Sequence, residues 1–466
     1  MKNFFYRSGA LALFAGVLLT SCDPEIDAPA ASAGNATFTS YIAVGNSLTA
    51  GYGDGGLYRE GQLNSFPAIL AQQFSTVGGG EFTQPLFSEE QRNGSGYLRL
   101  TGFTAQGSPI TANETSALGI RSASPRLYTK YTDNTRNLGV PGIRVADIKT
   151  VGYGSTQGNP FFERLTNNPL QTYLQYVETQ AQAANHTFFS NWLGNNDVLG
   201  YATAGGFSGT LTDVDLFTEN YSDLIDVLTA DNAEGIVATI PDVTGIPFFT
   251  TVGPGIKATL TAAKAQGMVA LTGNGPSRTL VATTGIRDAA GGTALFTLTG
   301  AAYAPLIGRP GGKYWRDLAR QTSPANPAAA MEQFITTYQI DTTQAFGVSV
   351  GNPWPSALLL DDAEQAAVQT ATTNFNNVIK AEASAHNLAV WDANAYFRNI
   401  QTGFTRNGVA YSPAFITGNL FSLDGIHPTP RGYAIIANEM IAVINAKYNA
   451  NIPPVDETQY RAVIFP

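Results

Sequence analysis

A serine near the start of the chain and an aspartate–histidine pair near its end are the residues whose types and spacing could do chemistry. Ser47 follows an apolar run at 41–44, and glycines at 51, 53, 55 and 56 keep the following turn small. A serine hydroxyl is a weak nucleophile unless a base takes its proton. His427 is one of only three histidines and stands three residues after Asp424. The pattern indicates a nucleophile, a general base and an aspartate that orients the base.

Attack by a serine on a carbonyl also needs donors for the negative charge that develops on the oxygen. Two segments offer such donors, NLGVPG at 137–142 and WLGNND at 192–197. A glycine N–H can face a ligand with no Cβ in the way, and the side-chain amide of Asn196 can donate to an oxygen. The Ser47 N–H would be a third donor. From the residues alone, Gly139 and Gly142 both stay open as the glycine of this site.

The elements that must position these residues follow an α/β pattern. Short apolar runs alternate with amphipathic stretches, which predicts a mostly parallel, doubly wound sheet. The predicted strands are 41–44, 186–193, 235–240 and 388–392, with a short fifth at 136–140. The predicted helices are 65–74, 169–184, 213–230, 361–386 and 430–447. Ser47 would then lie at the carboxyl end of a strand, where open sheets of this kind bind ligands.

The region 247–355 does not follow this alternation of predicted strands and helices. It is rich in Gly, Pro and Thr and holds two β-like runs, at 278–284 and 293–299. We expect an insertion at the carboxyl edge of the sheet that contains β-structure. It is either a flap that takes part in binding or a surface elaboration without such a role, because loops accept added length easily.

Composition excludes several classes of function. The chain has 466 residues and a net charge of −9, so no basic excess is present to neutralise the phosphates of a nucleic acid. The single cysteine allows no intramolecular disulfide, and no Cys/His cluster has the spacing of metal ligands. We therefore expect no structural zinc site. Asp54 and Asp242 are interpreted as turn residues.

The N-terminus predicts export and anchoring. Lys2 and Arg7 precede an apolar stretch at 9–19 that is too short to span a bilayer. The following LTSC resembles a bacterial lipobox, so Cys22 is the predicted lipidation site. We expect a lipoprotein signal peptide at 1–22, a flexible tether at 23–36 and the catalytic domain at 37–466. The protein would be anchored in the bacterial cell envelope, at the outer membrane on its periplasmic or outer side.

Four segments in order resemble the blocks of the SGNH (GDSL-type) hydrolases: GNSL at 45–48, NLGVPG at 137–142, GNND at 194–197 and DGIH at 424–427. The first block has asparagine where the family name has aspartate. The resemblance implies a three-layer α/β/α, flavodoxin-like fold and ester hydrolysis without metal or cofactor.

By position, the resemblance makes Ser47 the nucleophile, His427 the base and Asp424 its orienting acid, and it favours Gly142 with Asn196 for the oxyanion hole. The expected partner is an ester substrate, an acyl lipid or an acylated glycan, bound by a monomer. The alternative is a catalytically inactive glycan- or lipid-binding lipoprotein on the same fold.

Overall fold

The computed structural model of the chain describes residues 30–105 and 107–466, in which strands and helices alternate. The strands are β1 (Tyr41–Gly45), β2 (Leu98–Phe103), β3 (Pro109–Asn113), β4 (Ile120–Ala123), β5 (Arg126–Tyr128), β6 (Phe188–Trp192), β7 (Glu234–Ala238), β8 (Gly267–Leu271), β9 (Arg278–Ala282), β10 (Leu295–Phe296), β11 (Leu359–Leu360), β12 (Ala389–Trp391), β13 (Phe404–Arg406) and β14 (Val409–Tyr411). The helices are α1 (Ser47–Ala50), α2 (Arg59–Leu63), α3 (Phe66–Ser75), α4 (Pro160–Glu163), α5 (Tyr173–Ala184), α6 (Asn196–Thr203), α7 (Val214–Leu228), α8 (Pro247–Thr250), α9 (Gly253–Ala262), α10 (Lys313–Thr322), α11 (Pro327–Tyr338), α12 (Asp362–Ala385), α13 (Ala393–Asn399) and α14 (Pro430–Tyr448).

The central sheet is parallel, with its strands in the order β1, β6, β7 and β12. The segment 136–140 runs parallel to β1 on the free side. There the Ala43 N–H donates to the Arg136 carbonyl, and the Leu138 N–H donates to the Ala43 carbonyl, each at 2.8 Å. Since this segment comes second along the chain, the spatial order is 2-1-3-4-5, as in flavodoxin-like sheets. The predicted parallel α/β architecture is confirmed.

Helices cover both faces of this sheet, because alternate strand side chains point to opposite sides. On one face Tyr41 and Phe188 contact the Phe74 ring of α3, and α3 packs against α14. On the other face α7 packs against α5 and α12, and the rings of Phe217 and Phe375 stack 4.1 Å apart. Every residue of β1 and β6 is buried. The sheet thus lies between two layers of helices, which confirms the expected three-layer α/β/α fold.

Side-chain caps explain where the long helices begin. The Ser65 hydroxyl accepts a hydrogen bond from the Ala68 N–H at the start of α3, as the sequence predicts. Helix α5 begins at Tyr173, four residues after the predicted start at 169, because Thr172 caps it. Asp361 and Thr429 cap α12 and α14 in the same way.

The insertion at 247–355 contains more helix than the sequence predicts. Strands β8 and β9 form an antiparallel hairpin, and β10 pairs with β11, but α8 to α11 lie in the same region. The expected β-structure is therefore present, and helices make up a large part of the same region. Trp315 and Trp354 are buried in a hydrophobic cluster of this region, which lets it pack around apolar side chains of its own.

The first described residues contact the domain. The Asn35 N–H donates to the Tyr448 carbonyl at 2.7 Å, Ser32 forms a β-bridge with Asn451, and Ala36 is buried. The compact unit begins at Ala31, so the end of the predicted tether belongs to the fold rather than to a free linker. Cys22 and the predicted signal peptide lie outside the described residues. Within 30–105 and 107–466, no helix combines the length and apolar character that crossing a membrane requires.

Candidate active site

Ser47 lies at the point where β1 ends and α1 begins. Asn46 caps this short helix, because its side-chain oxygen accepts a hydrogen bond from the Leu48 N–H at 3.0 Å. Glycine is required at Gly45, where a Cβ would overlap the Thr49 side chain. Ser47 is only 8% exposed. The strand end therefore holds the hydroxyl in one place at the carboxyl edge of the sheet.

The structure brings Ser47, His427 and Asp424 together, although 380 residues separate the serine from the histidine. The His427 Nε2 lies 2.8 Å from the Ser47 Oγ, and its Nδ1 lies 2.8 Å from the Asp424 Oδ2. A carboxylate accepts, so Nδ1 carries the proton and Nε2 accepts from the serine hydroxyl. This is the arrangement in which an imidazole can take the serine proton.

Hydrogen bonds from several directions hold the Asp424 carboxylate. The N–H groups of Ile426 and His427 donate to its Oδ1 at 2.9 and 2.8 Å, and the Gly55 N–H donates to its Oδ2 at 2.9 Å. The Ser422 hydroxyl also donates to Oδ1, at 3.2 Å. Burial by itself would raise the pKa of Asp424, but His427 and these donors lower that pKa to about 2. The group is therefore a carboxylate at neutral pH.

Tyr52 is a neighbour of the site that the sequence analysis did not single out. Its ring packs against the His427 imidazole, with the ring centroids 4.7 Å apart. The Tyr52 hydroxyl donates to the Gly55 carbonyl at 2.7 Å, and the Tyr433 hydroxyl donates to the Tyr52 carbonyl at 2.6 Å. Packing against Tyr52 thus limits the movement of the His427 imidazole. Only the folded chain reveals this role, since the residue stands in a glycine-rich turn.

The two glycines left open by the sequence differ in what surrounds them. Gly139 is buried, its N–H donates to the Asn137 side chain at 3.0 Å, and a Cβ there would overlap the backbone of Ala50. Gly142 is exposed with a φ of +85°, and its N–H has no hydrogen-bond partner among the described residues. A free N–H suits an oxyanion donor, so the surroundings favour Gly142.

Asn196 lies at the start of α6, beside the Gly142 segment. One hydrogen of its amide is donated to the Ile143 carbonyl at 2.9 Å, which leaves the second for a ligand. Asn196 and Ser47 line the same cleft. The Ser47 N–H is also free of partners among the described residues, because it opens α1. Ser47 and Asn196 could together bind a developing oxyanion, and Gly142 directly precedes Ile143, to which the Asn196 amide donates.

Asp197 fixes the backbone that carries the glycine donor. Its buried carboxylate accepts from the Val145 and Ala146 N–H groups at 2.8 and 3.2 Å, and from the Thr212 hydroxyl at 2.7 Å. Burial raises its pKa to about 6, while these hydrogen bonds act in the opposite direction. The carboxylate therefore ties the 142–146 loop to the start of α6, where Asn196 stands.

We expect Asn196→Ala to lower kcat for an ester by about 10²- to 10³-fold, the usual cost of losing one oxyanion donor. KM should change little, because the donor acts on charge that develops only in the transition state. Steady-state kinetics measure both values. The matched control is Asn377→Ala on the exposed side of α12, which should behave as wild type. A loss confined to KM would contradict the role.

An apolar cleft opens beside the Ser47 hydroxyl. Its apolar lining includes Trp192, Leu199, Val243, Ile246, Phe397 and Phe421. Ser47, His427 and Asn196 are among its few polar residues. Such a cleft can hold a hydrocarbon group next to the Ser47 hydroxyl.

The insertion touches the loop that carries His427. The Phe248 N–H donates to the Gly425 carbonyl at 2.9 Å, and a Cβ at Gly425 would come within 3.0 Å of the Phe248 backbone and 3.1 Å of the Leu298 side chain. Gly425 has a φ of +71°, so this close approach needs a glycine. Part of the insertion therefore supports the loop that carries His427.

The other two histidines of the chain and Asp242 lie apart from these groups. The His186 ring contacts the Leu228 carbonyl at 2.7 Å, and His386 lies beside Thr229 and Glu382. Asp242 accepts from Thr244 in a turn, as expected.

The model of the GDSL-like lipase/acylhydrolase family matches residues 315–440, which include Asp424 and His427 but not Ser47. A solved structure similar to this chain is that of an extracellular lipase from Streptomyces rimosus. The likeness covers 87% of this chain and 99% of that chain, with 11% identity and a TM-score of 0.30. No curated protein matches the chain.

Proposed function

We propose that this protein is a serine ester hydrolase with Ser47 as its nucleophile, in keeping with the match of residues 315–440 to the model of the GDSL-like lipase/acylhydrolase family. The observation that carries the proposal is the continuous line of two hydrogen bonds, each 2.8 Å, from Asp424 through His427 to Ser47. The alcohol stands at a strand end beside an apolar cleft. A binding protein without turnover would have no need of this alignment.

In the proposed first half-reaction the Ser47 Oγ attacks the ester carbonyl while the His427 Nε2 takes its proton. The negative charge on the carbonyl oxygen is held by the N–H groups of Ser47 and Gly142 and by the Asn196 amide. Collapse of this intermediate breaks the bond to the alcohol, which leaves with the proton from His427. An acyl group then remains bonded to Ser47.

In the second half-reaction His427 takes a proton from a water molecule, which attacks the acyl carbonyl. The Ser47 oxygen leaves with that proton, and the acid product departs. Throughout both halves Asp424 stays ionised and stabilises the imidazolium, consistent with its low pKa. The apolar cleft receives the acyl group, while the alcohol portion, from a lipid or a glycan, faces the opening.

A panel of p-nitrophenyl esters with acyl chains of increasing length, together with acetylated sugars, tests this function. We expect the purified protein to release p-nitrophenol, and we expect kcat/KM to change with chain length, because the cleft accepts a hydrocarbon group of limited size. Absence of turnover with every ester would overturn the proposal and leave the binding protein as the alternative.

We also propose that Cys22 carries a lipid that anchors the enzyme in the bacterial cell envelope, at the outer membrane. The support is the signal-like sequence before the only cysteine in the chain. Cells fed radioactive palmitate should label the wild-type protein but not Cys22→Ser. Equal labelling of both proteins would refute the anchor.

A further inference from the structure

Asp54 occupies a turn between the nucleophile and the first long helix, and it is unusual in conformation and burial. The Gly53 and Gly56 N–H groups donate to each other's carbonyls at 3.0 and 2.9 Å across this turn. Asp54 has a φ of +53°, a left-handed conformation that residues other than glycine seldom adopt. The residue is nevertheless buried, with only 4% of its surface exposed. Such a residue persists only where its surroundings fix it.

Both the backbone and the side chain of Asp54 bind the loop that carries the catalytic acid and base. The Asp54 N–H donates to the Ser422 hydroxyl at 2.8 Å. The Leu423 N–H donates to the Asp54 Oδ1 at 3.0 Å, across 369 positions of sequence. Ser422 in turn donates to Asp424 at 3.2 Å. These hydrogen bonds therefore join the turn at 53–56 to the loop at 422–427, which carries Asp424 and His427.

A cation from the end of the chain balances this buried carboxylate. The Arg461 Nη2 lies 3.6 Å from the Asp54 Oδ2 and donates to the Tyr58 hydroxyl at 2.8 Å. The Tyr58 hydroxyl donates to the same Asp54 oxygen at 2.9 Å. Arg461 is also paired with Glu60, which is half exposed. Burial raises the pKa of Asp54, as the nearby Asp424 also does, whereas Leu423, Arg461 and Tyr58 lower it.

Two acidic side chains are thus buried close together, which is costly unless each is saturated with donors. A turn residue with no further role would not need a buried carboxylate, because the backbone bonds of the turn close without it. Instead, the Asp54 Oδ1 accepts a hydrogen bond from the Leu423 N–H in the loop at 422–427. An error of about 1 Å in a catalytic group can lower a rate by about 10²-fold, so a contact that fixes this loop bears on the reaction itself.

We propose that Asp54, with Arg461 as its counter-ion, is a positioning residue for ester hydrolysis: its carboxylate fixes the loop that carries Asp424 and His427. The inference rests on the proposed function. Under this proposal a second carboxylate, that of Asp54, supports the loop of Asp424 and His427. Arg461, from the C-terminal segment, supports that carboxylate in turn.

The test compares Asp54→Gly with Asp54→Asn, using the full chain and p-nitrophenyl butyrate. Glycine removes the carboxylate without strain at positive φ, whereas asparagine keeps an acceptor for the Leu423 N–H. We expect the glycine variant to lose about 10- to 100-fold in kcat at nearly unchanged KM. The asparagine variant should recover most of that loss. Titration with a fluorophosphonate gives the concentration of competent sites, and melting curves verify folding.

Glu60→Gln is the matched control, because it removes the other carboxylate on Arg461 without touching the catalytic loop. It should keep the wild-type kcat. If Asp54→Gly does not fold, Ser422→Ala replaces it, with an expected loss of about tenfold in kcat. Equal kcat in wild type and Asp54→Gly, equal losses in the two Asp54 variants, or a change in KM alone would each overturn the inference. A wild-type protein without turnover or labelling would instead refute the proposed function itself.

Discussion

Replacing Ser47 with alanine is expected to lower kcat for ester hydrolysis by about 10⁶-fold, the loss that follows removal of a serine nucleophile. The side chain is small, and its hydrogen bond goes to His427. The fold should therefore survive, with a melting temperature close to that of the wild type. Kinetics on a p-nitrophenyl ester and a thermal melt measure the two quantities on the same preparation.

Ser75→Ala is the matched control for this substitution, since Ser75 is an exposed serine at the end of α3. It should retain full activity. Turnover in Ser47→Ala within tenfold of the wild-type rate would mean that another group attacks the ester.

Replacing Asp424 with asparagine is expected to lower kcat by about 10⁴-fold, because the imidazole loses the carboxylate that selects its tautomer and stabilises its charged form. Asp456→Asn is the control, since Asp456 accepts from Thr458 in a similar but exposed turn. The asparagine variant of Asp424 should still be labelled slowly at Ser47. An unchanged kcat would contradict the role of the acid.

The ionisation of Asp424 also makes the free energy of unfolding depend on pH. The pKa of Asp424 is about 2 in the folded protein and 3.8 as its ordinary value. The unfolded chain therefore binds this proton first as the pH falls, and stability is lost between about pH 4 and pH 2. The contribution above pH 4 is about 2 kcal/mol. Urea unfolding of wild type and Asp424→Asn across this range should show the gap between them narrowing toward pH 2.

The central sheet could be predicted because its strands are buried on both faces. Their sequences are short, continuous apolar runs, and the helices between them have N-caps such as Ser65 and Asp361. The hairpin of β2 and β3 gave no such signal, since every residue of β3 is exposed. Helices α10 and α11 were missed because glycine and proline surround them, although Asn326 and Pro327 mark a helix start.

The candidate triad could be predicted because a serine nucleophile requires particular partners, and few residues of the chain could supply them. Tyr52 and Asp54 could not be recognised in this way. Each stands in a glycine-rich turn, where a local role is sufficient to explain it. Their contacts with His427 and Leu423 join segments more than 360 positions apart, and only the folded chain brings these segments together.

Labelling with a fluorophosphonate, followed by mass spectrometry of the peptides, tests the central claim most directly. The reagent forms a stable bond only with a serine whose proton is taken by a neighbouring base. We predict one adduct, on the peptide that contains Ser47, and its loss in Ser47→Ala and His427→Ala. An adduct on a different serine, or continued ester hydrolysis by protein that carries no label at Ser47, would contradict the account.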